Sequence, residues 1–593
     1  MSGYNRLSVA DIAGAVSRRE RSAVDVAIEV LGRITTYDAV QPEVWIQRAP
    51  RDSLLDQARR IDARVAAGAI LPLAGVPYAV KDNIDVAGLP TTAACPSFAY
   101  DPDRSARVVE RLEAAGALML GKTNLDQFAT GLVGARSPYG ACGCVYNLDY
   151  VSGGSSSGSS VAVAAGLAAF ALGTDTAGSG RVPAAFNHLV GLKPTKGRWS
   201  TSGLTPACRS LDCITVFASS VVDACLIDDV VAGYDAADFY SRSAPAETQP
   251  APIATVGVPP TDQLDFFGDA QSEALFSQAT ASLKALGVKI VEVDISPCLD
   301  AAQLLYSGPW LAERSAAAWD LLHTDPASIH PVVRGILQAG LEVTGVDAFR
   351  GQYALKACQR AAQAIWGVAD AMLLPTAATI YRKSEVFAEP VLLNNRLGRY
   401  TNFVNLLDMC AIALPAGFRD NGTGFGVTLI GPAFADRRLA ALAKDWETAT
   451  VFDPPALDLA RRPAESVKLA VVGAHLAGMP LHWQLASRGA SLVRKTKTAA
   501  TYRLYAMDEA PPARPALVHV GDAGAAIDIE IYELPVAQFG SFVADVAAPL
   551  AIGVVALADG TVVKGFVSEP RALVGAKDIT AYGGWRAYLS SHA

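Results

Sequence analysis

The sequence predicts an α/β protein with a largely parallel sheet covered by helices on both faces, followed by a smaller α+β domain. Apolar strand-like segments alternate with helix-like segments over most of the chain, which is typical of parallel sheets. Prolines and charges interrupt this pattern in VFDPPALDLARRPAESVK, residues 451–468. Short strand-like segments follow, ending in a hairpin signal at Asp559-Gly560. We therefore expect two domains, residues 1–460 and 461–593.

The elements of the first domain follow from apolar spacing and from residues that end helices. Residues 1–40 predict two amphipathic helices, with Ser8 as the N-cap of VADIAGAVSRR. The apolar segment GVPYAV predicts a buried strand that ends at Lys81. A helix in SEALFSQATASLKALG is closed by Gly287 and precedes the strand VKIVEVDI, while the strand in ADAMLLPT stops at Pro375.

Composition argues against several classes of function. The 593 residues are 51% hydrophobic with a net charge of -8, and the pI near 5.5 argues against direct nucleic-acid binding. The longest apolar stretch, residues 161–172, is too short for a membrane span, and the N-terminus has no secretory apolar core, so we expect a cytoplasmic protein. The nine cysteines do not follow zinc-ligand spacing, so we expect small buried side chains and no metal.

A hydrolytic site in this chain has few histidines to use as a base. There are seven, none before His188, and no G-x-S-x-G motif lies between a strand and a helix. A lysine can replace histidine if burial lowers its pKa enough to keep the amine neutral. Lys81, after an apolar strand, suits that role, although a lysine at a strand end is more commonly a solvated surface residue.

Two Gly/Ser clusters form the other candidate features. GTDTAGSGR contains small residues that allow backbone N–H groups to converge on one point, as an oxyanion site requires. An ordinary Gly-rich turn is an equally good interpretation of this segment. The run SGGSSSGSS, residues 152–160, has the composition of a flexible linker, or it forms one wall of a catalytic site.

Five motifs in order resemble the amidase signature family of Ser-Ser-Lys hydrolases. They are GVPYAVKDNIDVAG, GKTNLDQFATG, SGGSSSGSSVAVAAG, LGTDTAGSGRVPAAF and VGLKPTKG. The resemblance implies an α/β/α sandwich around a large mixed, mostly parallel sheet. It also implies a catalytic set of Lys81, Ser155 and Ser179, with a cis peptide bond before Ser155, and it makes the serine run a wall of the site.

The same resemblance implies a proton relay and no cofactor. Neutral Lys81 takes a proton from Ser155, which takes one from Ser179, and Ser179 attacks the amide carbonyl. The remaining implied roles are an oxyanion hole from the backbone of Thr176, Ala177, Gly178 and Ser179, and support of the loop by Asp175 and Arg181.

Further segments resemble the allophanate hydrolases, a branch of that family. They include DTAGS, GLVGARSPYG and YSGPWLAERSAAA. In DTAGS, Ala177 stands where many members of the family have glycine. The resemblance implies hydrolysis of allophanate (urea-1-carboxylate), with a carboxylate bound by Arg314 in a helix begun by Pro309, and with Tyr306 nearby. By sequence alone, Arg314 beside Glu313 is more typical of a helix surface. The pocket lining implied by the resemblance is Thr130, Gly131 and Leu132.

The C-terminal segments VVGAHLAGMPLHWQL, YRLYAM and VVKGF resemble the γ-glutamyl cyclotransferase-like domain of the same enzymes. His475 is the candidate for assisting loss of carbon dioxide from the first product, and a turn-capping histidine is the competing interpretation. The resemblance implies a functional link to a biotin-dependent urea carboxylase and a homodimer. The alternatives are a general small-amide amidase, the amidase component of an amidotransferase, and a non-catalytic partner of the carboxylase.

Overall fold

The computed structural model describes residues 6–245, 251–459, 466–486, 488, 490–507 and 513–591. The chain divides into two compact units, Met1–Ala460 and Arg461–Ala593. The predicted boundary between residues 460 and 461 lies outside the described residues. Within those ranges, every helix is too short or too polar to serve as a membrane span.

The first unit is built on a mixed sheet of eleven strands among the described residues, in agreement with the predicted fold class. The strands of this unit, including the separate pair β4 and β5, are β1 (Trp45–Arg48), β2 (Pro77–Lys81), β3 (Leu118–Thr123), β4 (Gly143–Cys144), β5 (Asn147–Val151), β6 (Phe170–Asp175), β7 (Val190–Lys193), β8 (Cys213–Ala218), β9 (Thr255–Val258), β10 (Lys289–Glu292), β11 (Ala371–Pro375), β12 (Met409–Phe418) and β13 (Gly424–Pro432).

The order across the large sheet is β1-β3-β2-β6-β8-β7-β12-β13-β11-β9-β10. Hydrogen-bonded neighbours run parallel from β3 to β6 and from β11 to β10. Between β6 and β11 they run antiparallel, and β1 joins its edge antiparallel to β3. The parallel triplet β3-β2-β6 brings the ends of the strands that carry Lys81 and Asp175 side by side.

Helices connect the strands of the first unit. Their bounds are α1 (Val9–Ser17), α2 (Ala23–Tyr37), α3 (Arg51–Ala66), α4 (Arg107–Ala114), α5 (Ser157–Ala164), α6 (Val182–Phe186), α7 (Val221–Val231), α8 (Ala270–Ala285), α9 (Ser296–Ser307), α10 (Trp310–Ala317), α11 (Trp319–Thr324), α12 (Pro331–Leu341), α13 (Gly345–Ala362), α14 (Lys383–Ala388), α15 (Leu392–Leu397), α16 (Phe403–Leu406) and α17 (Asp436–Ala449).

The sheet carries apolar cores on both faces. Along β11, Leu373 belongs to the core that includes α1–α4, whereas its neighbours Met372 and Leu374 belong to the core of α9, α10 and α13. Successive strand residues point to opposite faces, so the two cores lie on opposite sides of the sheet. This arrangement confirms the prediction that helices cover both faces.

The local predictions of the first unit hold. The Ser8 side chain accepts a hydrogen bond from the backbone of Asp11, 3.2 Å away, at the start of α1. Gly287 follows the end of α8 with φ +84°, a conformation that favours glycine, and so closes the helix as predicted. Val9 and Val16 are buried in the core of the first unit, so α1 packs against its own unit.

The second unit contains a five-stranded sheet, a three-stranded sheet and three helices among its described residues. The larger sheet has the order β15-β18-β14-β20-β19 and the smaller one β17-β16-β21. The predicted hairpin joins β19 to β20, with Gly560 at φ +83° in its turn. The bounds are β14 (Ser466–Val471), α18 (His482–Ala486), β15 (Ser491–Lys497), β16 (Tyr502–Ala506), β17 (Pro515–His519), β18 (Asp528–Pro535), α19 (Val536–Ala544), β19 (Leu550–Ala556), β20 (Val562–Ser568), β21 (Lys577–Asp578) and α20 (Trp585–Ser590).

Candidate active site

Lys81 lies at the end of β2, inside the protein rather than at its surface. Its side chain is fully buried. The Nζ atom donates to the hydroxyl oxygen of Ser155 at 2.7 Å and to that of Thr174 at 2.6 Å. Because Val80 is paired with Leu172 on β6, the end of β2 lies beside Thr174. The alternative interpretation of Lys81 as a solvated surface lysine is therefore wrong.

The environment of Lys81 favours a neutral amine. Burial lowers the pKa of Lys81 to about 7, while the charges of Asp126, Asp212 and Asp175 oppose this shift. The ion pairs found among the described residues do not include Lys81. An amine whose pKa is near 7 and whose partners are hydroxyls can accept a proton at neutral pH.

Ser155 lies in a tight turn immediately before α5. The peptide bond between Gly154 and Ser155 is cis. A side chain at Gly154 would collide with the carboxylate of Asp126 and the backbone of Gly134, so the close approach requires glycine. The backbone N–H of Asp126 donates to the carbonyl oxygen of Ser155 at 3.0 Å. The serine run is a packed wall, and its hydroxyls are buried rather than solvated.

Ser179 lies in the second Gly/Ser cluster, between β6 and α6. Its hydroxyl is buried and donates to the carbonyl oxygen of Gly131 at 3.5 Å. Among the described residues, no hydrogen bond joins Ser179 to Ser155. Asp126 links the segments around the two serines. Its carboxylate accepts hydrogen bonds from the backbone N–H groups of Val133 and Gly134, in the loop that carries Gly131.

Asp175 and Arg181 fix the shape of the Ser179 loop. The Arg181 guanidinium donates to both carboxylate oxygens of Asp175, at 2.9 and 3.0 Å, in a fully buried pair. The same carboxylate accepts from the backbone N–H of Gly178 at 2.8 Å and of Gly180 at 3.1 Å. These bonds hold the pKa of Asp175 below its usual value despite its burial, so the loop is built around a carboxylate.

The residues of the implied oxyanion hole are all buried in this loop, and they differ in the contacts that they already make. The backbone N–H of Gly178 already donates to the Asp175 carboxylate. A side chain at position 178 would collide with Thr401. The Thr176 hydroxyl contacts the carboxylate of Asp212. Ala177 is 4% exposed, at the edge of the apolar core of α9 and α10. The resemblance-based assignment of the oxyanion hole stays a prediction.

Arg314 is buried, which contradicts its interpretation as a surface helix residue. It lies in α10, which follows Pro309, and its side chain is 2% exposed. Its Nη1 atom is 3.4 Å from the hydroxyl of Thr130, and its Cζ atom is 5.6 Å from the ring centre of Tyr306. The neighbouring Glu313 instead accepts from the backbone and hydroxyl of Ser210, both at 2.7 Å.

The loop that carries Thr130 links Arg314 to Ser179, the candidate nucleophile. Thr130 contacts Arg314, and the next residue, Gly131, offers its carbonyl to Ser179. The backbone N–H of Leu132 donates to the side chain of Asn394 at 2.8 Å. The three predicted pocket residues therefore form one buried segment, whose first residue contacts the Arg314 guanidinium and whose second contacts the Ser179 hydroxyl.

His475 follows β14 and lies in an aromatic cluster of the second unit. Its ring stacks on Phe566 with a centroid distance of 4.9 Å and contacts Phe542 edge-on. Its Nε2 atom lies 2.7 Å from the side-chain oxygen of Gln484. Burial lowers the pKa of His475, so the ring is neutral and held in place at neutral pH.

The cysteines are free thiols, and most of them are buried, as expected for small apolar side chains. Within the part of the chain that the structure describes, no cluster of three or more His, Cys, Asp or Glu side chains is arranged to hold a metal ion. The expectation of a reaction without a metal stays a prediction.

Sequence reasoning missed two residues that surround the candidate catalytic residues Lys81, Ser155 and Ser179. Thr174, the second partner of Lys81, lies inside a quoted motif, but its place beside the amine follows only from the register of β2 and β6. Asp126 lies in GKTNLDQFATG, where an acidic residue before a small-residue loop is a weak signal.

Two further residues hold the loops of the site and were also missed. Arg136 is 2% exposed and donates to the carbonyl oxygen of Thr130 at 3.0 Å. Asn405 donates to the carbonyl oxygen of Asp175 at 2.7 Å. Both contacts join segments that are brought together only by tertiary packing or loop conformation, so the local sequence carries no signal for them.

Comparison with known proteins identifies the family of this fold and site. A family model described as Amidase matches residues 30–440. The chain belongs to the amidase family. A second model, described as the allophanate hydrolase C-terminal domain, matches residues 467–590 of this amidase.

Solved and curated relatives match along most of the amidase chain. The crystallised allophanate hydrolase of Kluyveromyces lactis is 41% identical, with a TM-score of 0.70 and 99% of both chains covered. Urea amidolyase of Saccharomyces cerevisiae is 42% identical over 96% of this chain, which spans about a third (32%) of that protein's length. The native peptide amidase of Stenotrophomonas maltophilia is 26% identical, with a TM-score of 0.65, over 77% of this chain and 99% of its own.

Proposed function

We propose that this amidase hydrolyses the primary amide of allophanate to ammonia and N-carboxycarbamate, in the breakdown of urea. The observation that carries the proposal is the buried pair Thr130 and Gly131, in which the Thr130 hydroxyl contacts the Arg314 guanidinium and the neighbouring Gly131 carbonyl contacts the Ser179 hydroxyl. A substrate with an amide at one end and a carboxylate at the other matches this arrangement. The match of the C-terminal family model supports the same substrate.

The proposed acylation is a relay of one proton. Neutral Lys81 takes the proton of Ser155, Ser155 takes that of Ser179, and the Ser179 oxygen forms a bond to the amide carbon. The C–N bond then breaks as the proton returns through the same groups to the leaving nitrogen, which departs as ammonia. Water hydrolyses the resulting ester by the reverse use of the relay.

Backbone N–H groups of the Ser179 loop stabilise the oxyanion in this proposal. Thr176, Ala177 and Gly178 belong to the loop that Asp175 and Arg181 hold in shape, and because the Gly178 N–H already donates to Asp175, the N–H groups of Thr176 and Ala177 are the main candidates. A donor of this kind contributes about 3 kcal/mol to transition-state stabilisation. The role of the Asp175–Arg181 pair is to keep those donors in position.

Arg314 binds the substrate carboxylate in this proposal. It is buried and forms no ion pair with Asp or Glu within the described part of the chain, so a bound carboxylate would supply its missing counter-charge. Charge-assisted bonds from a guanidinium to a carboxylate are short and directional. Tyr306, whose ring faces Arg314, limits the space around that carboxylate.

For the second unit we propose assistance in the loss of carbon dioxide from N-carboxycarbamate, with His475 as the candidate residue. Decarboxylation followed by breakdown of carbamate gives two ammonia and two carbon dioxide overall. His475 precedes Leu476, which lines a cavity of about 410 Å³ together with Glu530 and Arg586. The stacked, neutral ring fits a structural role equally well, so the timing of carbon dioxide release in His475→Ala separates the two.

We also propose a cytoplasmic homodimer that is functionally linked to a biotin-dependent urea carboxylase. The urea amidolyase relatives extend well beyond the region that this chain matches, which is consistent with a linked activity.

The proposed homodimer is supported by an exposed apolar face. Helix α13 exposes Val346, Phe349 and Tyr353, by 61%, 65% and 69%, at a spacing that places them on one face. Light scattering of the purified protein measures whether it is a dimer.

Ammonia release from allophanate, acetamide and glutamine tests the proposed function. We expect kcat/KM to be highest for allophanate and at least about 100-fold lower for the uncharged acetamide, since a buried charge-assisted bond is lost. A preference for acetamide would indicate a general amidase, and a preference for glutamine would indicate the amidase component of an amidotransferase. The absence of release from all three would support a non-catalytic partner.

A further inference from the structure

A second buried arginine lies beside the candidate carboxylate site. Arg136 and Arg314 are each 2% exposed, and they contact two different atoms of the same residue. The Nη1 atom of Arg136 donates to the carbonyl oxygen of Thr130 at 3.0 Å, and that of Arg314 lies 3.4 Å from its hydroxyl. Two guanidinium groups therefore approach one threonine inside the protein.

The hydrogen bonds of Arg136 hold this part of the site together. Its Nη2 atom donates to the carbonyl oxygen of Pro390 at 2.6 Å, so the guanidinium joins two separate loops. Its own backbone N–H donates to the Asp126 carboxylate at 2.9 Å. Arg136 thus fixes the segment whose next carbonyl, that of Gly131, contacts Ser179.

The charge of this pair is incompletely balanced. Among the described residues, neither Arg136 nor Arg314 has a carboxylate oxygen within ion-pair distance, and the Nε atoms of both are buried without a hydrogen-bond partner. Asp126 is the acidic group that acts on Arg136, but its oxygens are occupied by the backbone N–H groups of Val133, Gly134 and Arg136. Buried charges of one sign favour an incoming group of the opposite sign.

We propose that Arg136 is a positioning residue that sets substrate selectivity, because it holds Thr130 so that Arg314 faces the substrate carboxylate and adds a second buried positive charge there. This inference rests on the proposed function, since it assumes an anionic substrate. Arg136 does not touch the substrate in this arrangement. Its effect passes through the position of Thr130 and through the electrostatic potential of the pocket.

The test compares a charged substrate with a neutral one of the same size. Malonamate carries one amide and one carboxylate, and malonamide carries two amides. We expect Arg136→Gln to lower kcat/KM for malonamate by about 30-fold, mainly through a higher KM, and to change that for malonamide by less than about threefold. Arg136→Lys keeps the charge but loses one of the two carbonyl bonds, so we expect an intermediate loss of the malonamate preference.

A matched control distinguishes selectivity from general damage. Arg111 also donates to a backbone carbonyl, that of Val231, at 2.6 Å, but it lies outside the site, so Arg111→Gln should leave the malonamate-to-malonamide ratio unchanged. An equal loss on both substrates in Arg136→Gln and Arg136→Lys would overturn the inference. If Arg136→Gln does not fold, Arg136→Lys decides by the same ratio. A wild-type enzyme with no preference for malonamate would instead reject the proposed function.

Discussion

Two buried lysines on neighbouring strands of the same sheet have opposite surroundings. Lys81 ends β2 and Lys122 lies in β3, and both side chains are 0% exposed. The Nζ atom of Lys122 lies 2.9 Å from the carboxylate of Asp82 and 3.1 Å from the hydroxyl of Thr91. The Nζ atom of Lys81 meets only the hydroxyls of Ser155 and Thr174 at hydrogen-bond distance within the described structure.

The difference shows that the partner, more than burial, determines what a buried lysine does. Burial lowers the pKa of both amines, and for Lys122 the carboxylate of Asp82 directly opposes this shift. The paired lysine is a structural cation that neutralises a buried acid. The unpaired one can be neutral at pH 7, which is what a proton acceptor requires.

The largest expected difference between the two lysines is in activity. Lys81→Met removes the proposed proton acceptor, and we expect kcat/KM for allophanate to fall by about 10³-fold or more, within the range of general-base contributions. The free energy of unfolding at pH 7 should fall by no more than about 1 kcal/mol, because an apolar side chain avoids the cost of burying an amine. Ammonia release and urea denaturation measure the two quantities. A loss of activity explained by unfolding would contradict this account.

The opposite pattern is expected at the paired lysine. Lys122→Met leaves the Asp82 carboxylate buried without a counter-charge, which should lower the free energy of unfolding by about 3–5 kcal/mol. Urea denaturation of the double variant with Asp82→Asn should show recovery of most of that loss, since no buried charge then remains. Equal stability of Lys122→Met and wild type would show that the ion pair is not the structural element proposed here.

A further difference is the pH dependence of stability. Between its native pKa near 7 and the ordinary value of 10.5, Lys81 binds fewer protons in the folded than in the unfolded state. The wild-type free energy of unfolding should therefore gain up to about 1.4 kcal/mol per pH unit over this interval from this group. Lys81→Met should lack that gain. Identical slopes in both proteins would mean that the Lys81 pKa is not lowered.

The smallest expected effect concerns the second hydroxyl on Lys81. Thr174→Val removes one hydrogen bond to Nζ and should lower kcat about tenfold, because the amine is less well oriented towards Ser155. Thr215 on the adjacent strand β8 is a matched control, since its buried hydroxyl has no partner among the described atoms. Thr215→Val should keep wild-type kcat. A similar loss in both variants would point to packing rather than to the hydrogen bond.

The contacts within one motif were predictable from the sequence, and those that depend on register or tertiary packing were not. The strand before Lys81 and the glycine turn before Ser155 are local patterns. Thr174 depends on the alignment of two strands that are distant in sequence. Arg314 has the sequence context of a surface residue. Its burial arises because α10 packs against α12 and α9, with the Arg314 side chain reaching Thr130 while Glu313 turns to Ser210.

The pH dependence of kcat/KM for allophanate tests the central claim most directly. A neutral Lys81 with a pKa of about 7 predicts a tenfold rise per pH unit below pH 7 and a plateau above it. Asp212, whose pKa burial raises to about 6, is a second source of a rise with pH. Asp212→Asn removes that source and also a charge that raises the Lys81 pKa, so the tenfold rise per pH unit should remain and its midpoint should move below that of the wild type. A profile that is flat from pH 6 to 9, or one that rises only near pH 10, would contradict a neutral lysine as the base.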